Sequence, residues 1–120
     1  MEPTEAARFV MLQMNDLTRL IGLLADRQLQ PRDTRVLLAL MSCIDSYTGR
    51  IHTTAFHLAE LLKTNESEIR SAIGRLKKQH LLRLIKEPRS GKRYYLINPW
   101  LVQAGKQQAI GLAMKTFREA

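Results

Sequence analysis

The chain of 120 residues has a single cysteine, Cys43, so no internal disulfide can staple it and nothing in its cysteine usage argues for an oxidising compartment. Long apolar runs are also missing. The longest, Val36 to Met41 (VLLALM), is far short of the roughly 18 residues a membrane span needs. The start MEPTEAARF places two acids before its first base and has no apolar signal-peptide core. No repeat at solenoid periods and no low-complexity tract is present. Secreted, membrane and disordered classes are not expected, and a cytoplasmic location is.

Chemistry-bearing constellations are equally scarce. The three histidines, His52, His57 and His80, form no His-x-His pair and have no cysteine or carboxylate at ligand spacing. His52 and His57 read as surface or half-buried residues, and His80 as a core-side histidine of its helix. No P-loop and no Gly-x-Gly-x-x-Gly occurs, so nucleotide use is not expected. Cys43 reads as a small, buried hydrophobe. We expect no catalytic residues, no metal and no cofactor.

Acids are few: 11 against 19 lysines and arginines, for a net charge of +8. The excess is local. From Lys63 to Arg93 there are ten bases and three acids, a net charge of +7, whereas the other 89 residues carry +1. Such a block points to a polyanionic partner. Its only aromatics are the pair Tyr94-Tyr95 at its very end, just after Arg93, too few to stack successive unpaired bases, so double-stranded DNA is favoured over a single strand.

A length of 120 residues and 45% apolar content suit one soluble domain with a core of its own. Punctuation at Gln30-Pro31, Ser46 to Gly49, Thr64-Asn65, Pro88 to Lys92, Asn98-Pro99 and Ala104-Gly105 divides it into short elements. Val10, Met14, Leu17, Ile21 and Leu24 recur at helical spacing, which suits one long helix. Phe9 to Met14 is also a good strand, with Asn15 or Asp16 capping a separate helix through Leu24. The strand followed by a helix is preferred.

After Pro31, Val36, Leu37, Leu40, Met41 and Ile44 stripe a helix ending near Asp45. Arg50 to His52 suits a short strand. Thr53 or Thr54 then caps a helix with Leu58, Ala59 and Leu62 inward, ended by Lys63-Thr64. Asn65 and Glu68 have capping-box spacing and open a helix over 66–80 with Ile69, Ala72, Ile73 and Leu76 inward. Leu81 to Ile85 and Arg93 to Ile97 read as the strands of a hairpin around the polar loop Glu87 to Lys92. One of Tyr94 and Tyr95 is expected to pack inward, the other to meet the sugar–phosphate backbone. Lys106 to Ala120 forms a last helix, with Ile110, Ala113, Met114 and Phe117 on one face.

Helix, short strand, helix, turn, helix, strand, basic loop, strand is the order of a winged helix-turn-helix. The expected fold is therefore mainly α with a small β-hairpin wing (α+β). Residues 31–98 form the DNA-binding core, 1–30 a strand-plus-helix extension, and 99–120 a C-terminal helix of the same domain. The extension and the last helix carry apolar stripes beyond the needs of the small core, for packing across its back or for a homodimer.

In such a fold the second helix of the motif lies in the major groove. With Ile69 at zero and about 100° per residue, Ala72, Ile73 and Leu76 fall within about 60° of it. Ser67, Ser71, Gly74 and Lys78 lie opposite, flanked by Arg70 and Arg75. The serines can bond base edges or phosphates, Arg70 can make a bidentate contact to guanine, and Gly74 leaves room for the duplex. Lys77 and Lys78, with Lys86, Arg89, Lys92 and Arg93 of the wing (86–93), are the expected phosphate contacts, and the wing can also reach an adjacent minor groove.

The stretch Tyr94-Tyr95-Leu96-Ile97-Asn98-Pro99-Trp100-Leu101-Val102, followed by Gly105, resembles the RepL-like plasmid replication proteins. In that family a strand–helix start, like Phe9 to Leu24 here, precedes the winged helix, and the resemblance spans residues 9–117. It implies a small DNA-binding protein of plasmid replication or maintenance that recognises an origin and recruits host replication proteins without catalysis of its own. The wider pattern is shared with MarR-like and other bacterial repressors, so a transcriptional regulator is the near alternative. A protein–protein adaptor is the distant one. A nicking initiator would need paired histidines and a nucleophilic tyrosine, and the histidine pair is absent.

Overall fold

The computed structural model describes residues 10–12, 14–45, 47–104 and 107–119. Phe9, Gln13, Ser46, Gly105 and Lys106, on which parts of the sequence reading fall, lie outside the described residues. The chain runs β1 (Val10–Leu12), α1 (Met14–Ala25), α2 (Pro31–Ser42), α3 (Ala55–Leu62), α4 (Glu66–Lys78), β2 (Leu82–Lys86), β3 (Arg93–Ile97), β4 (Val102–Ala104) and α5 (Gln107–Glu119). It is mainly helical with a two-stranded antiparallel hairpin, an α+β, winged-helix-like fold.

The first described residues form a strand followed by a helix. That helix begins at Met14, so Asn15 and Asp16 lie within its first turn rather than capping it. Pro31 opens α2, where its missing N–H is no loss. The Asp33 carboxylate accepts the Gln30 backbone N–H at 2.8 Å. The helix stops at Ser42, three residues before the expected Asp45. Cys43 leaves it as the C-cap, half-buried rather than buried, and Ile44 bridges to Ile51 instead. The strand expected over Arg50 to His52 is reduced to single bridges. Ile51 exchanges both backbone bonds with Tyr95, at 3.0 and 2.8 Å.

Thr54, the second of the two candidate caps, accepts the His57 N–H at 3.1 Å and opens α3. Lys63 closes α3 in the left-handed conformation, with φ 56°. Asn65 accepts the Glu68 N–H at 2.9 Å and opens α4. The three-residue turn Lys63-Thr64-Asn65 therefore sits between two capped helices. It sets α4 against α2 and α3 through Ile69, Ala72, Ile73 and Leu76, all buried as the period requires. The helix ends at Lys78 rather than at residue 80. Gln79 caps it and His80 turns out with φ 59°, exposed, so His80 is not on the core face.

In the wing, β2 starts one residue later than expected and β3 where expected. Leu82 pairs with Ile97, Leu84 with Tyr95, and Lys86 with Arg93. Side chains alternate across a strand, so these pairs share one face, and Leu82 and Ile97 join the helical core. The opposite face holds Tyr94, Leu96 and Ile85, covered by Phe117 and Ala113 of α5. The Arg83 guanidinium lies 4.8 Å from the Phe117 ring centre. The wing is thus held between the helical core and α5. Asn98 fastens its exit. Its backbone N–H donates to Leu81 O at 2.8 Å, its Nδ2 donates to His80 O at 3.0 Å, and its Oδ1 accepts the Trp100 N–H at 2.9 Å.

One element escaped the sequence reading. Residues 102–104 form β4, antiparallel to β1 with Val10 opposite Ala104 and Leu12 opposite Val102. This ribbon joins segments on either side of the winged core, while Leu20 of α1 is buried in the main core with Leu17, Leu23 and Leu24 packed beside it. The first extension thus packs on the helical core through α1, and the last on the wing through α5. No helix among the described residues is long and apolar enough to cross a membrane.

Candidate nucleic-acid interface

The outward face of α4 is the centre of the site. Ser67, Arg70, Ser71, Gly74, Lys77 and Lys78 are all exposed, whereas the buried residues of the helix are apolar. At Gly74, a Cβ would meet no atom within 4 Å. The surface there is open, and a duplex could approach the backbone directly. Glu66 and Glu68 in the first turn and Arg75, Lys77 and Lys78 in the last complement the helix dipole.

Two of the expected contact residues are already engaged. Arg70 Nη2 lies 2.8 Å from Glu66 Oε2, an exposed i,i+4 ion pair. Such exposed pairs are worth about 0.3–0.5 kcal/mol, so the guanidinium is readily released to another partner. Arg75 is different. Its Nε donates to both Asp33 oxygens at 2.9 Å, and its Nη2 lies 2.8 Å from Oδ1. Asp33 is fully buried. The hydrogen bond Arg75 donates to this carboxylate, opposed by burial and aided by the carboxylate's charge, raises the Arg75 pKa above the ordinary arginine value. Arg75 therefore fastens α4 to α2, and its charge does not belong to the open face. The reading from periodicity missed Asp33. An acid in a first helical turn suits the helix dipole by itself, and no short-range signal marks a partner 42 residues away.

The wing brings together a second basic set. Lys86, Arg89, Lys92 and Arg93 are all exposed. The loop between the strands is internally bonded: Glu87 N–H donates to Lys92 O at 2.8 Å, and Gly91 N–H to Glu87 O at 2.9 Å. Gly91 sits at φ 71°, a conformation in which a β-carbon would be strained. Glu87 is held by Arg50, with Nη1 3.2 Å from Oε2, and the Arg50 guanidinium lies 4.4 Å from the Tyr94 ring centre. The one acid of the loop is thus paired away from the tip. Tyr94 packs inward under α5, and Tyr95 is half-buried beside the main core. Neither ring is displayed as a stacking platform.

His52 and His57 are exposed, and among the described residues no three His, Cys, Asp or Glu side chains converge on one point. No protein-family model matches the chain, and no curated protein or solved structure matches it significantly.

Proposed function

We propose that this protein binds double-stranded DNA with sequence specificity. In this reading α4 enters the major groove, Ser67, Arg70, Ser71 and Gly74 meet the base edges, and the wing follows the phosphates through Lys86, Arg89, Lys92 and Arg93. The observation that carries it is the division of α4. Its apolar side is sealed against the core, while its other side is small, hydroxylated, basic and open. Because base contacts specify and phosphate contacts position, the two surfaces supply the two halves of recognition. The resemblance of residues 94–105 to RepL-like proteins supports a role in plasmid replication initiation or maintenance in the cytoplasm, without catalysis. Host replication proteins are the further partners. A homodimer would read two half-sites spaced by about 34–36 Å or a multiple.

The test is a titration of the purified chain into labelled duplex from the flanks of its own gene, with random duplex as competitor, at two salt concentrations. Binding that survives competition is expected, at a site in an origin rather than a promoter. A site in a promoter would make it a regulator, and no binding at low salt would leave the adaptor.

A further inference from the structure

The basic wing borders only one side of α4. On the helical wheel, at about 100° per residue, Arg70 and Lys77 fall on one flank of the outer face and Glu68, Ala72 and Arg75 on the other. The first flank adjoins the wing, since Lys77 shares a groove with Leu82 and Leu84 of β2. The second adjoins α2, through the Arg75–Asp33 pair. Along that second flank runs a cleft between α2, the turn after α3 and α4, and its charged rim is Arg32, Arg35, Lys63 and Glu68. The three bases are exposed, and among the described residues none of them is in an ion pair. Arg32 Nε donates only to the neutral Gln30 amide, at 2.7 Å. Glu68, the single acid of the rim, accepts the Thr64 hydroxyl.

We infer that Arg32, Arg35 and Lys63 form a second phosphate-binding rim, which meets the backbone of the DNA strand across the groove from the wing. This rests on the duplex-binding reading and extends it. A helix with its side chains is about 10–12 Å across, and the major groove is about 12 Å wide, so a helix seated there has a phosphate backbone along each flank. The wing supplies cations to one. Without the α2 rim the other would meet only Glu68 and an arginine whose charge is already paired with Asp33. Lys63 carries a further sign. It occupies the left-handed C-cap, with φ 56° and ψ 48°, where glycine is the unstrained choice. The fold therefore does not require a lysine there.

That strain gives a clean test. Lys63→Gly removes the charge while relieving the backbone, and Arg32→Gln and Arg35→Gln alter exposed helix positions. The triple variant and the full-length wild type are titrated with a labelled random-sequence duplex over a range of salt concentrations. A Lys86→Ala, Arg93→Ala wing variant serves as the control, and thermal melts establish that each is folded. Each lost phosphate contact lowers the slope of log K against log salt by about 0.9, so the triple variant is expected to lose about 2–3 from the slope with an unchanged or raised melting temperature. Lys63→Gly alone is expected to lose about 0.9. Ethylation interference on a bound duplex should show the rim and wing variants losing phosphates on opposite strands. A triple variant with the wild-type slope, beside a wing variant whose slope falls, overturns the rim and leaves the DNA reading standing. Wild-type protein that binds no duplex overturns both.

Discussion

Arg75 and Asp33 form a bidentate pair that joins the last turn of α4 to the first turn of α2, with the carboxylate fully buried and the guanidinium half-exposed. The asymmetry decides what each substitution does. Arg75→Met leaves a buried carboxylate whose remaining bond is to the Gln30 N–H, and breaking a buried pair in this way costs about 3–5 kcal/mol. Asp33→Ala frees a guanidinium that can rehydrate, and removes a bond to the start of α2 worth about 1 kcal/mol. The double variant should therefore be more stable than Arg75→Met alone. Urea unfolding of the three variants checks this, and equal losses from both single variants would refute it.

The same pair has a defined pH behaviour. Arg75 has a folded pKa above its unfolded value, so its contribution is complete below the ordinary arginine range and is lost only as pH rises through the higher folded value. Between neutral pH and about pH 11 the stability gap between wild type and Arg75→Met should stay flat. A gap that shrinks within that window would mean another group controls the pair.

Gly74 offers a way to set stability against binding. Its added Cβ meets nothing within 4 Å, and the position is helical. Gly74→Ala should stabilise the fold by about 1 kcal/mol, since alanine is the better helix former by that amount. If the duplex approaches the helix backbone here, the same methyl group lowers affinity for the specific site. A rise in melting temperature with unchanged DNA affinity would place the duplex away from Gly74.

Base and phosphate contacts predict different phenotypes. Arg70→Ala and Ser71→Ala should relax preference among base-substituted duplexes, with Arg70 responsible for about 1–3 kcal/mol of discrimination. Lys78→Ala and Arg89→Ala should weaken binding to all duplexes alike and flatten the salt dependence. Competition assays with single base-pair changes separate the two patterns. Four variants that all bind like wild type would remove both surfaces from the interface.

Much of this arrangement was legible in the sequence, for a physical reason. The core face of α4 follows from a 3.6-residue period, and β3 from an apolar run between a basic loop and Asn98-Pro99, all short-range signals. What escaped was long-range. β4 is three residues long and exists by pairing with β1 some 90 positions earlier, which no local pattern announces. Arg75 looked like a surface base because its partner sits 42 residues upstream. His80 looked buried because the helix was extended two residues past its end at Lys78, and the period means nothing once the backbone leaves the helix.

Phe117 tests whether α5 is part of the wing's foundation. Its ring is buried with Tyr94 and Leu96, and the Arg83 guanidinium lies over it. Removing a buried phenylalanine side chain costs about 3–5 kcal/mol, because transfer energy and the remaining cavity add. The loss should be concentrated in the hairpin, since α4 is held by a separate cluster around Leu40, Ile69 and Leu76. Phe117→Leu keeps most of the volume and should cost much less. Hydrogen exchange of Phe117→Ala should therefore show β2 and β3 amides losing protection before those of α4. Uniform loss across both would mean that the wing and the helical core unfold as one unit, and that α5 stabilises the whole domain rather than the wing.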